Sequence, residues 1–582
     1  MVGKALKPRT GWIGEYGARS LLSDAIAGLV LSILLVPQAM AYAQLAGLPP
    51  ETGLYAALVP PLLYLLFGTS NYVSVGPVAL VSLVVADAAR GAGSDPAMAA
   101  TIIAIEAGIL LVALGALGLG RLVNFVSEPV LLGFTAAAAF LIAASQLPTL
   151  LGIDADRAGD IVGALGAMWS ELGQFSAVTA AIGIGALIAL LLVTRYAAPL
   201  LWKVGIGPTI RNALAKSLPL LIVVAAGIAA LNVSSPVPTV DGIDGGLPTI
   251  ALPFDDMGLW LQLAPSAFAV AIVVFVTATA VAKSLAGTDR SHLDTSREAV
   301  ALGAGNIAAA LTGGYAVGAS LSRSALVEDS GAKSRVASVI ASVVVLAVLF
   351  LLAPLLAYLP KAALAALVIS AVFGLVKVRE IRGVFAHDRV EGAIVVGAFL
   401  ATLLLGVELG LLIGAGLGLA HFLWFSSLPR VTRIGTDDGG VSFRSVERDE
   451  VELDTHPALV VRVDRSIYFG NATFIEDEVF GRLGDHEGVD CLVLDMRAVN
   501  AVDASGAAML QRMITRLKLD GVFVRFAAAH EPVRESLQPI DSEAACFHRT
   551  VGHALEACGC YGEGETEVRP GDLSERDAPA TA

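Results

Sequence analysis

Charged side chains are scarce in this chain. Only 15% of its 582 residues are Asp, Glu, Lys or Arg, whereas 56% are hydrophobic, and the mean hydropathy is +0.75. Soluble domains carry about 25% charged residues, so this composition excludes an ordinary soluble protein. A membrane-spanning helix needs roughly 20 apolar residues. Uncharged runs near that length occupy residues 25–46, 176–194, 217–232 and 336–359.

Cysteine is absent from the apolar part of the chain. Cys491, Cys546, Cys558 and Cys560 all lie near the carboxyl end. We place that end in a reducing compartment, where structural disulfides are not expected. The four cysteines, taken with nearby histidines, match no standard zinc spacing, so we predict buried thiols and no metal site. Catalytic triads and phosphate-binding loops are also missing from the sequence, so we predict neither an enzyme nor a cofactor.

Composition divides the chain into segments. We predict a cytosolic amino-terminal segment at residues 1–20, a transmembrane transport domain at 21–428, a second domain at 429–561 and a disordered acidic tail at 562–582. Basic residues precede the first span, and no clear cleavage site follows it, so we expect this span to be retained. The net charge of −14 lies largely in the second domain and the loops, and nothing indicates a nucleic-acid partner.

Loop charges predict the orientation of the chain. Residues 152–171 and 233–256 are rich in Asp and poor in Lys and Arg, which places both loops outside. Basic residues cluster instead at 195–216, 283–297 and 377–389. Alternating the sides gives fourteen segments in a cell membrane, with both termini cytoplasmic.

Two apolar segments are interrupted. Residues 72–80 and 315–326 each contain an extended stretch of small residues that leads into an apolar helical run. A helix that begins inside the membrane leaves N–H groups unpaired and carries a partial positive charge, which suits an anion. Broken helices at matching places in two halves indicate a transporter binding site. A weak repeat between residues 37–47 and 277–287 precedes each break by a similar distance, and an odd number of spans per half makes the repeats inverted.

Four motifs, in order, resemble the SulP family of anion permeases, also called solute carrier family 26. They are residues 36–50 (VPQAMAYAQLAGLPP), 74–79 (SVGPVA), 125–134 (FVSEPVLLGF) and 320–324 (SLSRS). The carboxyl-terminal part resembles the family's STAS domain. The resemblance implies a polytopic α-helical membrane protein with a 7+7 inverted repeat. Its fourteen transmembrane segments would include two half-helices, followed by a cytosolic α/β STAS domain, in a homodimer whose core domain moves against a gate domain.

The resemblance also implies a substrate site between the two half-helices. The first would offer backbone at Gly76, Pro77, Val78 and Ala79, and the second would offer Ser320, Leu321 and Ser322. Gln38 and Tyr42 share one helical face and could orient an oxyanion, although Tyr42 could instead pack in the core.

Two further positions carry open alternatives. Arg323 is a basic residue inside a span, which is costly without a role. It either supplies a positive field near the anion, or pairs with Glu328 or reaches the cytosolic edge. Thr277 stands where many relatives have an acid implicated in proton or sodium coupling, and Thr277 cannot titrate near neutral pH. Glu106 is the reserve candidate for proton coupling, whereas we predict structural or interfacial roles for Glu128 and Glu408.

The second domain should contain buried strands at residues 458–463 and 491–496 and an amphipathic helix at 505–519. Ser505 occupies the position that is phosphorylated in relatives of the STAS loop. The favoured alternative is that Ser505 only caps this helix.

The favoured function is secondary active transport of a small oxyanion, with sulfate the default substrate. Bicarbonate or a C4-dicarboxylate, carried by a transporter or exchanger, and an uncoupled anion channel are alternatives. H⁺ or Na⁺ is a candidate coupling ion, and membrane lipid surrounds the protein. A membrane-bound sensor and a nucleobase carrier are further hypotheses, and the nucleobase carrier is weaker because that family lacks the STAS domain.

Overall fold

The computed structural model divides the chain into two compact units, Met1–Leu419 and Ala420–Ala582. The predicted acidic tail, Cys560, most of residues 1–20 and the start of the motif at 125–134 lie outside the described residues. The residues that the structure describes are 8, 16–93, 95–120, 127–155, 159–203, 208–240, 256–289, 293–436, 442–446, 455, 457–486, 488–537 and 545–559. The domain boundary predicted at residue 428 remains a prediction.

The first half of the membrane unit contains nine helices and a short strand within the described residues. The first helix runs unbroken through Pro37, although a proline inside a helix usually kinks or breaks it. The elements are α1 (Ala18–Leu45), α2 (Pro50–Ala56), α3 (Pro60–Phe67), β1 (Val75–Gly76), α4 (Ala79–Ala92), α5 (Pro96–Ala116), α6 (Glu128–Leu151), α7 (Ile161–Ser170), α8 (Ala177–Lys203) and α9 (Pro208–Leu231).

The second half follows the same plan, with a strand ahead of a short helix. Its elements are α10 (Met257–Asp289), α11 (Thr295–Leu311), β2 (Gly318–Ala319), α12 (Leu321–Asp329), α13 (Val336–Leu351), α14 (Ala353–Leu356), α15 (Lys361–Val372), α16 (Val378–His387), α17 (Arg389–Leu405) and α18 (Val407–Ser427).

Seven helical segments among the described residues are long and apolar enough to cross a membrane. Every backbone group inside a bilayer must be paired within the protein, so continuous helices are the form expected of such apolar segments. The seven segments are Ala18–Leu45, Pro96–Ala116, Glu128–Leu151, Ala177–Lys203, Met257–Leu285, Lys361–His387 and Val407–Ser427.

The two interrupted segments meet as a small antiparallel ribbon. Val75 faces Ala319, and Gly76 faces Gly318. Each strand leads directly into a helix, α4 after β1 and α12 after β2. The extended stretches read from the sequence are therefore confirmed, and the structure adds that they pair with each other.

Helices α5 and α11 approach closely because glycines face each other across their contact. A methyl group added at Gly303 would lie 2.6 Å from the carbonyl oxygen of Gly108, and one added at Gly108 would lie 2.8 Å from that of Gly303. Small residues at such contacts let helix backbones pack together inside a membrane.

A buried carboxylate ties the start of α1 to the chain that precedes α13. Asp24 Oδ1 accepts from the backbone N–H groups of Lys333 and Ser334, and Oδ2 accepts from the hydroxyls of Ser334 and Tyr16. Burial and this neighbouring carboxylate raise the pKa of Tyr16 to about 12, so the phenol stays protonated and donates.

The second unit contains a six-stranded sheet in the order β4-β3-β5-β6-β7-β8. Strands β5 to β8 are parallel, and β3 is antiparallel to both of its neighbours. The expected strands and the amphipathic helix are confirmed. The elements are β3 (Val431–Gly435), β4 (Arg444–Ser445), β5 (Ala458–Val463), α19 (Ala472–Gly484), β6 (Cys491–Asp495), α20 (Ala504–Leu519), β7 (Phe523–Ala527), α21 (Glu531–Leu537), β8 (Ala545–His548) and α22 (Val551–Ala557).

The expectation that the cysteines remain free thiols was wrong for two of them. Cys491 at the start of β6 and Cys558, just after α22, form a disulfide. Helix α22 packs against β6 and β7, which brings residues far apart in the sequence together. Sequence spacing alone gives no sign of this contact.

Candidate functional site

A cavity of about 700 Å³ lies inside the membrane unit, beside the amino ends of α4 and α12. Its wall combines side chains from α1, α6, α10 and α15 with those two helix ends. Most of the wall is apolar, and the polar groups that it contains include the side chains of Tyr42, Thr135, Thr277, Ser320 and Ser322.

The two helix ends supply the positive character of the site. In each helix the first N–H groups have no partner within the helix, and the dipole adds a partial positive charge. The backbone N–H of Ser82 bonds to Val78, so the N–H groups of Ala79 and Leu80 precede the first helical bond of α4. In α12 the corresponding groups belong to Leu321 and Ser322, because Ser324 N–H bonds to the carbonyl of Ser320. Such an arrangement suits an anion.

Ser320 caps α12 from the cavity wall. Its side chain accepts from the backbone N–H of Arg323 at 3.5 Å, and its hydroxyl lies 3.3 Å from the hydroxyl of Ser322. Two hydroxyls therefore stand next to the free N–H groups of the helix end. Hydroxyls can rotate to donate to an oxyanion.

Arg323 bridges the two halves from behind the cavity. Its side chain is fully buried, Nη1 donates to the carbonyl of Pro77 at 2.8 Å, and Nε donates to Ser74 Oγ at 3.4 Å. Within the described residues, Arg323 bonds to the chain on either side of β1 and not to Glu328, so the alternative of a pair with Glu328 was wrong. The guanidinium places a positive charge between the half-helices without lining the cavity.

The structure brings most of the predicted binding residues to the cavity wall. Those on the wall are Tyr42, Val78, Ala79, Thr277, Ser320, Leu321 and Ser322. Gln38, Gly76, Pro77 and Arg323 lie off the wall, with Gln38 buried in α1 and Arg323 beside β1. The shared helical face of Gln38 and Tyr42 therefore does not bring both to the cavity.

Thr277 is turned toward its own helix. Its hydroxyl donates to the carbonyl of Val273 at 2.6 Å. Nearby on the same helix, Thr279 also lines the cavity, and its buried hydroxyl has no hydrogen-bond partner in the described part of the chain. Sequence reasoning missed Thr279 because a lone threonine in an apolar helix gives no distinctive pattern.

The cavity wall also carries charged side chains. They are Glu128, Lys283, Lys377 and Glu380, and the last two form an ion pair of 2.9 Å. Lys283, Lys377 and Glu380 belong to segments that the charge pattern predicted to lie at the cytosolic side.

The other acids near membrane depth have different surroundings. Glu408 accepts a hydrogen bond from Ser266 at 2.9 Å. Glu106 lies in α5, away from the cavity wall, and its Oε2 has no partner among the described residues. The cavity therefore gives Glu106 no direct route to the substrate.

Sequence reasoning also missed polar residues that hold the half-helices together. Ser324 Oγ accepts from the backbone N–H of Ser74 at 2.9 Å, and the hydroxyls of Ser82 and Tyr315 are hydrogen bonded at 2.8 Å. Each pair joins residues from opposite halves of the chain, a contact that sequence spacing does not reveal. The only available signal was that these polar residues fall within otherwise apolar segments.

In the second unit, Ser505 does not cap its helix. Asp503 is the capping residue: one carboxylate oxygen accepts from the N–H of Gly506 at 2.8 Å, and the other accepts from that of Phe469 at 2.9 Å. Ser505 is exposed in the first turn of α20. The prediction that it is a regulatory site stays a prediction.

Comparisons with known proteins agree with this geometry. Residues 21–398 match the sulfate permease family, and residues 449–545 match the STAS domain. Sulfate transporter 4.1, chloroplastic, of Arabidopsis thaliana is 32% identical over 535 residues, which cover 88% of this chain and 76% of that protein. Low affinity sulfate transporter 3 of Stylosanthes hamata is 30% identical over 591 residues, or 95% and 90% of the two chains.

Solved structures show the same fold. The murine solute carrier 26 family member A9 anion transporter, in its inward-facing state, has a TM-score of 0.86 at 22% identity, covering 94% of this chain and 93% of that one. The transmembrane domain of a cyanobacterium bicarbonate transporter has a TM-score of 0.57 at 20% identity, covering 69% and 98%. By these matches, the chain belongs to the sulfate permease family and carries a STAS domain toward its carboxyl end.

Proposed function

We propose that this protein is a secondary active transporter of a small oxyanion, with sulfate as the leading substrate. The observation that carries the proposal is the cavity between two half-helix amino ends, each with free N–H groups. The family is one of transporters rather than enzymes.

Sulfate is favoured over the alternatives by the named relatives. Those at about 30% identity over most of the chain are sulfate transporters. The likeness to a bicarbonate transporter concerns fold alone, so bicarbonate and C4-dicarboxylates remain alternative substrates. Two hydroxyls beside the end of α12 suit any small oxyanion.

The arrangement in the membrane follows from the same proposal. We assign fourteen segments in a 7+7 inverted repeat, in a cell membrane, with both termini cytoplasmic. The matching strand-and-helix breaks in the two halves support the repeat. We also assign a homodimer, as the resemblance implies. Lys283 and Lys377 line the cavity and belong to segments assigned to the cytosolic side, so we assign an inward-facing state to this structure.

The side chain at position 277 bears on whether anion transport is coupled to H⁺ or Na⁺. Thr277 lines the cavity where many relatives carry an acid, and its hydroxyl is bonded to its own helix. This favours exchange or uncoupled anion conduction over coupling to H⁺ or Na⁺ through this position. Ser505, exposed at the start of α20, is the proposed regulatory site.

The deciding experiment is uptake of labelled anions by proteoliposomes that contain the full-length protein. Sulfate, bicarbonate and fumarate are compared with and without an inward H⁺ or Na⁺ gradient, and protein-free vesicles serve as the control. Saturable sulfate uptake is expected. If none of the three anions enters faster than in protein-free vesicles, the proposed function is wrong.

A further inference from the structure

The ribbon formed by β1 and β2 leaves backbone groups to be satisfied inside the membrane unit. It is only two strands wide, so neither strand has a second neighbouring strand to pair its outer edge. Water cannot supply the missing hydrogen bonds in an apolar interior, where an unpaired N–H or C=O is costly. Side chains from other elements must therefore supply the missing partners.

The register shows which groups point outward. Gly76 faces Gly318, and the N–H of Ser320 donates to the carbonyl of Ser74 at 3.2 Å. Along an antiparallel strand, the backbone N–H and C=O groups of successive residues alternately bond to the facing strand and point away from it. Val317, next to Gly318, accordingly turns both its N–H and its C=O away from β1.

Asn306 on α11 satisfies both of these groups. Its Oδ1 accepts from the N–H of Val317 at 2.9 Å, and its Nδ2 donates to the carbonyl of Val317 at 3.0 Å. The second Nδ2 hydrogen is directed to the carbonyl of Leu302, at 2.8 Å, within the same helix. The Asn306 side chain is fully buried, so these contacts account for its donors without water.

Across the ribbon from Val317, the position of Pro77 needs fewer partners. Pro77 has no N–H, so only its carbonyl requires a partner, and Arg323 Nη1 donates to it. Val317 needs a donor and an acceptor together. A carboxamide is the side chain that provides both on neighbouring atoms without a charge.

We propose that Asn306 is a positioning residue for anion binding: its carboxamide fixes Val317 and thereby the amino end of α12 at the cavity. Asn306 does not itself line the cavity, so it acts through the backbone of residues 317–322. The inference rests on the proposed function in one respect, that the anion binds at this helix end.

The test compares full-length Asn306→Leu with the wild type and with Thr402→Val. Leucine has a similar size but makes none of the three hydrogen bonds. Thr402 is equally buried, its hydroxyl bonds to Ala398 of its own helix, and it is not one of the residues that line the cavity. Thr402→Val therefore removes a buried polar group without touching the ribbon.

Two measurements separate positioning from mere stability. Hydrogen exchange of the peptide spanning residues 312–325, recorded on protein in detergent, is expected to quicken in Asn306→Leu only. The KM for anion uptake is expected to rise about tenfold or more, which corresponds to losing roughly 1.4 kcal/mol of binding, while the maximal rate per folded protein changes little. If Asn306→Leu does not fold, Asn306→Asp, which keeps one oxygen for Val317, replaces it in both measurements.

An unchanged KM in well-folded variant protein would overturn the proposal, even if its thermal stability falls, because the role would then be structural only. Unchanged exchange of residues 312–325 would overturn it as well. A wild type that carries none of the anions tested is a separate result, since it refutes the proposed function. Hydrogen exchange of residues 312–325, and the rise in thermal stability when sulfate is added, would then decide the role of Asn306.

Discussion

At the residue scale, the cavity is shaped by polar side chains whose partners are backbone groups of distant segments. Arg323 donates to Pro77, and Ser324 accepts from Ser74, so each contact spans the two halves of the chain. Within the part of the chain that the structure describes, Thr277 bonds only to carbonyls of its own helix. Substitutions at Arg323 and at Thr277 should therefore fail in different ways.

Arg323→Ala should abolish most anion uptake. The change removes the positive charge between the half-helices and leaves the carbonyl of Pro77 buried without a donor, which costs about 1–3 kcal/mol. Arg323→Lys keeps a charge but not the two-point contact, and should retain part of the uptake. Proteoliposome uptake normalised to folded protein is the measurement, and wild-type rates in Arg323→Ala would remove this residue from the mechanism.

Thr277→Glu should make uptake depend on pH. It places a titratable acid on the cavity wall at the position that many relatives use for coupling, so an inward proton gradient should accelerate uptake by the variant more than by the wild type. Initial rates with and without the gradient give the answer. Equal acceleration in both proteins would mean that this position does not control coupling.

At the element scale, the half-helices depend on α11, which holds the ribbon through Asn306 and packs on α5 through facing glycines. Glu298 at the start of α11 also accepts from the hydroxyl of Tyr64 at 2.8 Å and from the N–H of Thr69 at 2.7 Å. One helix thus holds the second extended segment and the chain that leads to the first, and its packing on α5 fixes its place.

Gly303→Leu should destabilise the membrane unit. A side chain there meets the Gly108 carbonyl and Val112 at once, and overpacking of this kind typically costs about 1–3 kcal/mol. The thermal unfolding midpoint in detergent should fall below that of Gly185→Leu, the matched control, because Gly185 on α8 has nothing within 4 Å of an added methyl group. Equal midpoints for the two variants would contradict the role of the glycine contact.

At the scale of the whole molecule, the predicted orientation places residues 152–171, and with them the nearby Gly173, outside, and the STAS domain in the cytosol. This arrangement conflicts with the expectation that a cytosolic domain keeps its thiols reduced, since Cys491 and Cys558 are joined. The orientation of the chain can be measured directly, without reference to the disulfide.

Gly173→Cys should react with a membrane-impermeant maleimide in intact cells. Leu519→Cys, on the exposed surface of α20, should react only after the membrane is opened. The wild type provides the background from the native cysteines. Labelling of Leu519→Cys in intact cells would reverse the proposed orientation.

The sequence by itself determined the features that depend on neighbouring residues. Apolar length predicted spanning segments, and seven helical segments among the described residues are long and apolar enough to cross a membrane. Small residues predicted the two breaks, and the resemblance to the family indicated Ser320 and Ser322, which line the cavity. The strands and the amphipathic helix of the second domain followed from alternating and helical patterns in the same way. These are local properties, so a single stretch of chain contains the information.

Only the tertiary structure decided which side chains meet across the two halves. It showed that Gln38 lies off the cavity wall and that Arg323 donates to Pro77. It also showed that Asp503, and not Ser505, caps its helix, and that Cys491 and Cys558 form a disulfide. It also gave Asn306 its partner at Val317. In most of these contacts the direction of a side chain is set by backbone groups that lie elsewhere in the sequence. Local pattern cannot supply that direction, because buried polar atoms take whichever partner the packed fold brings within reach.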